Sequence, residues 1–238
     1  MKIAVFADPE SVARQAAAHV ATEAKAAIAS RGLFVMAVSG GHTPWQMLRV
    51  LAREKVPWGA VQVVQTDERV APEGDPDRNL THLRQSLLEL APLSAEQIHA
   101  MPVEWADLEA ASARYAMTLQ ALAGSPPVLD LVHLGLGPEG HTASLVPGDP
   151  ILEVKDADVA PTGVYQGRRR MTLTYPILNR SRHLLWLVIG SEKTEMLARL
   201  YAGDVSIPAG RVRRDHALIM ADRAAAGQLG IGAKVEVA

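Results

Sequence analysis

The chain has 238 residues, 48% of them hydrophobic, with 24 Lys plus Arg against 26 Asp plus Glu for a net charge of −2, and no cysteine. This length suits one domain over 1–238 with a sizeable core, and the composition excludes wholesale disorder. Without cysteine there is no disulfide framework, thiol nucleophile or cysteine-ligated zinc, and the balanced charge gives no support to a nucleic-acid or membrane-surface binder.

The N-terminus reaches Asp8 too soon for a signal peptide, and the best apolar run, 184–189, is far short of a membrane span. A cytoplasmic protein, monomeric or a small homo-oligomer, is expected. Residues 2–6 predict a strand. Residues 10–31, with Val12, Ala16, Val20 and Ala24 at helical spacing, predict a helix ended by Gly32. The continuous apolar run 33–38 has the pattern of a strand buried on both faces, and Thr43-Pro44 reads as a hydroxyl cap opening a helix through Glu54. A strand over 61–66, a helix over 77–90 and a helix over 104–123 closed by Gly124 follow. Strands over 129–134, 170–174 and 184–189 come next, then a helix over 192–201 and a last strand over 217–220. Short strands alternating with longer helices imply a mainly parallel α/β sheet flanked by helices, whose functional residues gather beyond the carboxyl ends of the strands.

Four strand ends carry unusual residues. Ser39-Gly40-Gly41-His42-Thr43 places glycines and a helix N-terminus after a buried strand, which suits a phosphate or other anion. It lacks the Lys-Ser/Thr ending of a nucleotide loop. Its near match to a serine nucleophile elbow comes too early in the chain for a hydrolase of that type. Asp67-Glu68-Arg69 offers carboxylates and a guanidinium. Gly135-Leu136-Gly137-Pro138-Glu139-Gly140-His141 spells a dinucleotide-loop pattern, but Pro138 interrupts it and Pro147-Gly148 forbids a long following helix. Presentation of His141 for acid–base chemistry, with Glu139 beside it, is the better reading. Lys193, after Gly190-Ser191-Glu192, opposes a helix dipole unless an anion binds there. Arg168-Arg169-Arg170 adds positive charge. No metal-ligand spacing is visible, and neither metal nor cofactor is expected. Together these elements point to a small phosphorylated substrate.

Val38-Ser39-Gly40-Gly41-His42-Thr43-Pro44, Asp67-Glu68-Arg69, the 135–145 block with Gly140-His141-Thr142-Ala143-Ser144, Arg170–Thr174 and Gly190-Ser191-Glu192-Lys193 run in order over nearly the whole chain. In this they resemble the 6-phosphogluconolactonase family, to which glucosamine-6-phosphate deaminases are related. The resemblance implies a modified Rossmann-like fold and hydrolysis of a sugar-phosphate lactone. It implies His141 and Asp67 as the catalytic pair, and Ser39, Gly40, Gly41, Thr43, Arg69, Glu139, Ser144, Arg170 and Lys193 as substrate contacts. Two departures stand out: Glu139 replaces the usual Asp, and Val146 stands where a deaminase has Glu. The alternatives are a deaminase/isomerase of the same fold and a non-catalytic sugar-phosphate sensor.

Overall fold

A computed structural model describes residues 1–229. β1 (Lys2–Phe6) leads into α1 (Pro9–Arg31), capped by Asp8, which accepts from the Ser11 N–H at 2.7 Å, and ended by Gly32 at φ 78°. There follow β2 (Phe34–Val38), α2 (His42–Leu51), β3 (Val61–Gln65), β4 (Asp67–Arg69), α3 (Asn79–Leu83), β5 (Ile98–His99), α4 (Leu108–Ala123) and β6 (Leu131–Gly135). The chain continues through β7 (Val159–Pro161), β8 (Arg170–Leu173), α5 (Tyr175–Arg180), β9 (His183–Val188), α6 (Thr194–Ala202) and β10 (Ala217–Asp222).

Seven strands form one parallel sheet in the order β1-β10-β9-β6-β2-β3-β5. Alternation along β2 divides its side chains between two cores. Phe34, Met36 and Val38 pack with Val12, Ala16 and Val20 of α1 and Leu48 of α2, whereas Val35 and Ala37 pack with Tyr115 and Leu119 of α4. Both faces being covered is what makes the run 34–38 apolar throughout. From β2 the chain works outward to β5, then returns to lay β6 on the other side of β2, so the strand order reverses between β2 and β6. A crevice for ligand is expected at such a switch point.

Several elements differ from the sequence expectation, among them the helix expected through Glu54, which ends at Leu51, and the helix expected from 192, which starts at Thr194. Residues 170–173 are not in the parallel sheet; they are the centre of a separate antiparallel sheet, β4-β8-β7. The helix expected over 77–90 is α3 followed by a wider π turn over Arg84–Leu88. α4 starts at Leu108, because Asp107 caps it through the Glu109 and Ala110 N–H groups, and not at 104. Thr43 is not a helix cap: α2 begins at His42 behind Gly41, whose φ of 106° is open to glycine at little cost.

Candidate active site

The four central strands β9, β6, β2 and β3 each end in a loop that reaches one cleft of about 350 Å³. After β9 comes Lys193, after β6 Gly137 and His141, after β2 Ser39, Gly40, Gly41 and Thr43, and after β3 Asp67 and Arg69; Arg170 and Asn79 complete the wall. Residues scattered over the chain are thus neighbours because their strands are. β2 and β6 pair only at Met36–Leu131 and Ala37–Val132 and then part, which opens the crevice. The gap is bridged by Ser39, whose N–H donates to His133 Nδ1 at 3.3 Å and whose hydroxyl donates to the His133 carbonyl at 2.9 Å and pairs with Thr66. Burial pushes the His133 imidazole down to about 3, so it bridges as a neutral ring. The Ser39 hydroxyl meets no base among these partners, and the nucleophile-elbow reading fails.

Alternation also sorts Asp67-Glu68-Arg69. Asp67 and Arg69 face the cleft, and Glu68 turns into the protein with no exposed surface. Antiparallel pairing sets Arg69 directly opposite Arg170, an unfavourable juxtaposition of like charges. The Nε of both guanidinium groups is buried without a partner among the described residues. Burial and the Arg69 charge both hold Arg170 below its ordinary range. Two facing cations with unmet donors, joined by Lys193 and the start of α2, make a cradle for an anion.

His141 Nδ1 lies 2.9 Å from Glu139 Oε2. A carboxylate only accepts, so Nδ1 carries the proton and Nε2 is left as the basic nitrogen of a ring that lines the cleft. Burial lowers the imidazole from its usual 6.5, the Arg170 charge adds to this, and Glu139 and Asp67 oppose it. Burial alone would raise Glu139, but hydrogen bonds from Tyr165, the backbone and His141 hold it below the usual carboxylate range. Asp67 accepts from the Ser144 hydroxyl at 2.6 Å and from Asn79 Nδ2 at 3.4 Å.

Two residues expected as substrate contacts, Ser144 and Glu139, are absent from the cleft lining. Ser144 is buried, with its hydroxyl donating to Asp67 Oδ2, and the Glu139 carboxylate is hydrogen-bonded to His141 Nδ1. Sequence reasoning missed Asn79 and Tyr165, whose roles come only from tertiary contact. It also missed why Gly137 must be glycine. A Cβ there would sit 2.1 Å from His141 Cε1 and 2.2 Å from Nδ1. Gly137→Ala should therefore push the ring aside and lower kcat/KM about 100-fold with little change in melting temperature, a comparison made by steady-state kinetics and thermal unfolding. Normal turnover would show that the ring tolerates displacement.

Among the described residues, no group of three or more His, Asp or Glu is arranged to hold a metal ion, and no helix is long and apolar enough to cross a membrane. Fold and site together define an α/β enzyme with a basic imidazole and an anion cradle in one crevice. A family profile described as glucosamine-6-phosphate isomerases/6-phosphogluconolactonase matches residues 7–220. A 6-phosphogluconolactonase from Synechocystis sp. is 36% identical over 205 residues, covering 84% of this chain and 85% of its own. One from Streptomyces coelicolor is 35% identical over 249 residues, covering 96% and 94%. The crystal structure of a 6-phosphogluconolactonase from Thermotoga maritima aligns with a TM-score of 0.83 and 25% identity, over 93% of this chain and 98% of that one. The chain belongs to the glucosamine-6-phosphate isomerase/6-phosphogluconolactonase family.

Proposed function

We propose that this enzyme hydrolyses 6-phospho-D-glucono-1,5-lactone to 6-phosphogluconate, the second step of the oxidative pentose phosphate pathway, with His141 as general base. The observation that carries this reading is the Glu139–His141 pair opening onto the same cleft as Arg69, Arg170 and Lys193. Its relatives named as 6-phosphogluconolactonases support the substrate.

Neutral His141 takes a proton through Nε2 from a water over C1. The water oxygen bonds to C1, and the carbonyl electrons move to oxygen. As the tetrahedral species collapses, the C1–ring-oxygen bond breaks and the imidazolium returns its proton to the leaving ring oxygen. Gly137 N–H donates to the His141 carbonyl at 2.8 Å and Gly140 N–H to the Gly137 carbonyl at 3.0 Å, so these two amides serve the loop and not the oxyanion. Arg170 serves both halves of the site: it faces Arg69 across the small sheet, and its charge reaches His141. It offsets the oxyanion, while Arg69, Lys193 and the 39–43 loop hold the phosphate and so place C1. Asp67 binds a sugar hydroxyl or the attacking water. Val146 is buried and apolar, and supplies no second carboxylate to His141 of the kind a deaminase uses.

Fresh lactone, generated with glucose-6-phosphate dehydrogenase, should disappear faster with the protein than by spontaneous hydrolysis. Glucosamine 6-phosphate should release no ammonia. A decay rate equal to the background, or ammonia release, would overturn the reading. Lys193→Ala should raise KM about 10–100-fold, the loss of a charge-assisted contact, with a smaller fall in kcat. An unchanged KM would put the phosphate elsewhere.

A further inference from the structure

The segment between β7 and β8 contributes no residue to the cleft wall except Arg170 at its end, yet its tip is fastened to the reacting group. Tyr165 and Arg168 close a tight turn, Tyr165 N–H to the Arg168 carbonyl at 3.0 Å, with Gln166 and Gly167 both at positive φ (51° and 78°). Two such central residues are the mark of a hairpin turn that matches strand twist. Arg168 ties the turn to the opposite loop through Asp77 at 2.8 Å, Asp75 at 3.2 Å and the Val70 carbonyl. The turn thereby presents one aromatic side chain in a fixed place.

Tyr165 uses three parts of that side chain. Its hydroxyl donates to Glu139 Oε1 at 2.7 Å. Its ring meets the His141 ring edge to face, with centroids 5.5 Å apart and planes at 69°. Arg170 lies over its face, 4.9 Å from the centroid, and Arg170 Nη2 also donates to Gln166 Oε1 at 3.2 Å. Glu139 is otherwise badly suited to orient a base. Its side chain is 47% exposed and has three rotatable bonds, so water would compete for both oxygens. With Tyr165 on Oε1 and His141 on Oε2, both oxygens have a protein partner and the carboxylate has one orientation.

We infer that Tyr165 is a positioning residue, which locks the Glu139 carboxylate onto His141 Nδ1 and holds the Arg170 guanidinium beside the same imidazole. This rests on His141 being the base, as argued above. It joins the two halves of the site through one side chain: the proton acceptor through the hydroxyl and ring edge, the cation through the ring face.

The two functions separate by substitution. Tyr165→Phe removes the hydroxyl and keeps the ring, so kcat should fall about five- to tenfold with KM within about twofold of the parent. Tyr165→Ala removes the ring as well, so KM should also rise, because Arg170 loses its support. In a Glu139→Gln background, Tyr165→Phe should cause no further loss of kcat, since the group it orients has already changed. A kcat within about twofold of the parent for Tyr165→Phe, or an equal loss in both backgrounds, overturns the inference. His141→Asn, assayed alongside, separates the failures. An inactive His141→Asn with an unaffected Tyr165→Phe sinks only the role of Tyr165, whereas an active His141→Asn sinks both.

Discussion

Replacing His141 by Asn should lower kcat by about 10²–10⁴-fold while product still binds, because the cationic cradle is untouched. The amide can keep a hydrogen bond to Glu139 but offers no basic nitrogen, so this substitution removes the proton acceptor with little else. The alternative, that the phosphate contacts alone position a lactone reactive enough to hydrolyse, predicts a loss of only a fewfold. The difference between these outcomes exceeds any error from spontaneous decay, provided that decay is subtracted. Product affinity measured by calorimetry should stay within a fewfold. The parent enzyme supplies a second check through pH. In the proposed mechanism the working form of His141 is the neutral one, and burial shifts the imidazole below 6.5. The rate should therefore rise with pH along a limb whose midpoint lies below 6.5. A midpoint above 6.5 would mean that Glu139 and Asp67 outweigh burial, or that another group titrates. Near-parental turnover by the His141→Asn variant would remove the imidazole from the chemistry.

The parts of the molecule that can be read from its sequence are those in which a local pattern and the tertiary structure agree. β2, β6, β9 and β10 announce themselves as apolar runs because a parallel sheet covered on both faces leaves few positions for polar side chains. α1 is legible from Glu10 to Gly32 because its apolar stripe and its left-handed stop lie within the segment, while the Asp8 cap and the start at Pro9 come from the structure. β4, β5 and β7 are not legible. They are two or three residues long, and Asp67-Glu68-Arg69 is a strand only because β8, about a hundred residues later, pairs with it. The same division runs through the site. His141 and the glycines are visible because a histidine in a glycine-lined loop at a strand end is chemically unusual. Tyr165 is an ordinary loop tyrosine until folding brings it to Glu139, and Asn79 is one residue of the helix expected over 77–90 until its side chain meets Asp67. Ser144 and Glu139 are legible as members of the site, but not their hydrogen bonds to Asp67 and His141. One residue of spacing decides whether a side chain faces the cleft or the group behind it, and only the register settles that.

Glu68 illustrates the same point with a consequence for stability. In sequence it is half of an acidic pair; in the structure it is fully buried and each of its oxygens accepts two hydrogen bonds. Oε1 takes the Arg69 and Asn79 N–H groups, and Oε2 takes the Leu80 N–H and Gln65 Nε2, each at 2.8 Å. The Arg78 guanidinium lies 3.2 Å from Oε2. Glu68→Gln keeps the shape but turns an NH₂ group toward these donors and leaves Arg78 short of a buried partner. The expected cost is about 3–5 kcal/mol, which for a chain of this size lowers the melting temperature by roughly 6–20 °C. Arg78→Met should cost less, because Glu68 keeps its four hydrogen bonds when the guanidinium goes, whereas among the described residues Arg78 keeps only the Ala71 carbonyl and the half-exposed Glu104 when the carboxylate goes. The order of the two variants therefore tests the assignment beyond the size of either. Activity should follow stability in Glu68→Gln, since the Asn79 backbone held by Glu68 carries the side chain that donates to the Asp67 carbonyl at 2.9 Å. Thermal unfolding followed by circular dichroism reads the first effect and lactone turnover the second. A Glu68→Gln protein that melts within about 2 °C of the parent, or one more stable than Arg78→Met, would mean that the carboxylate is not what holds the 65–80 segment against the cleft.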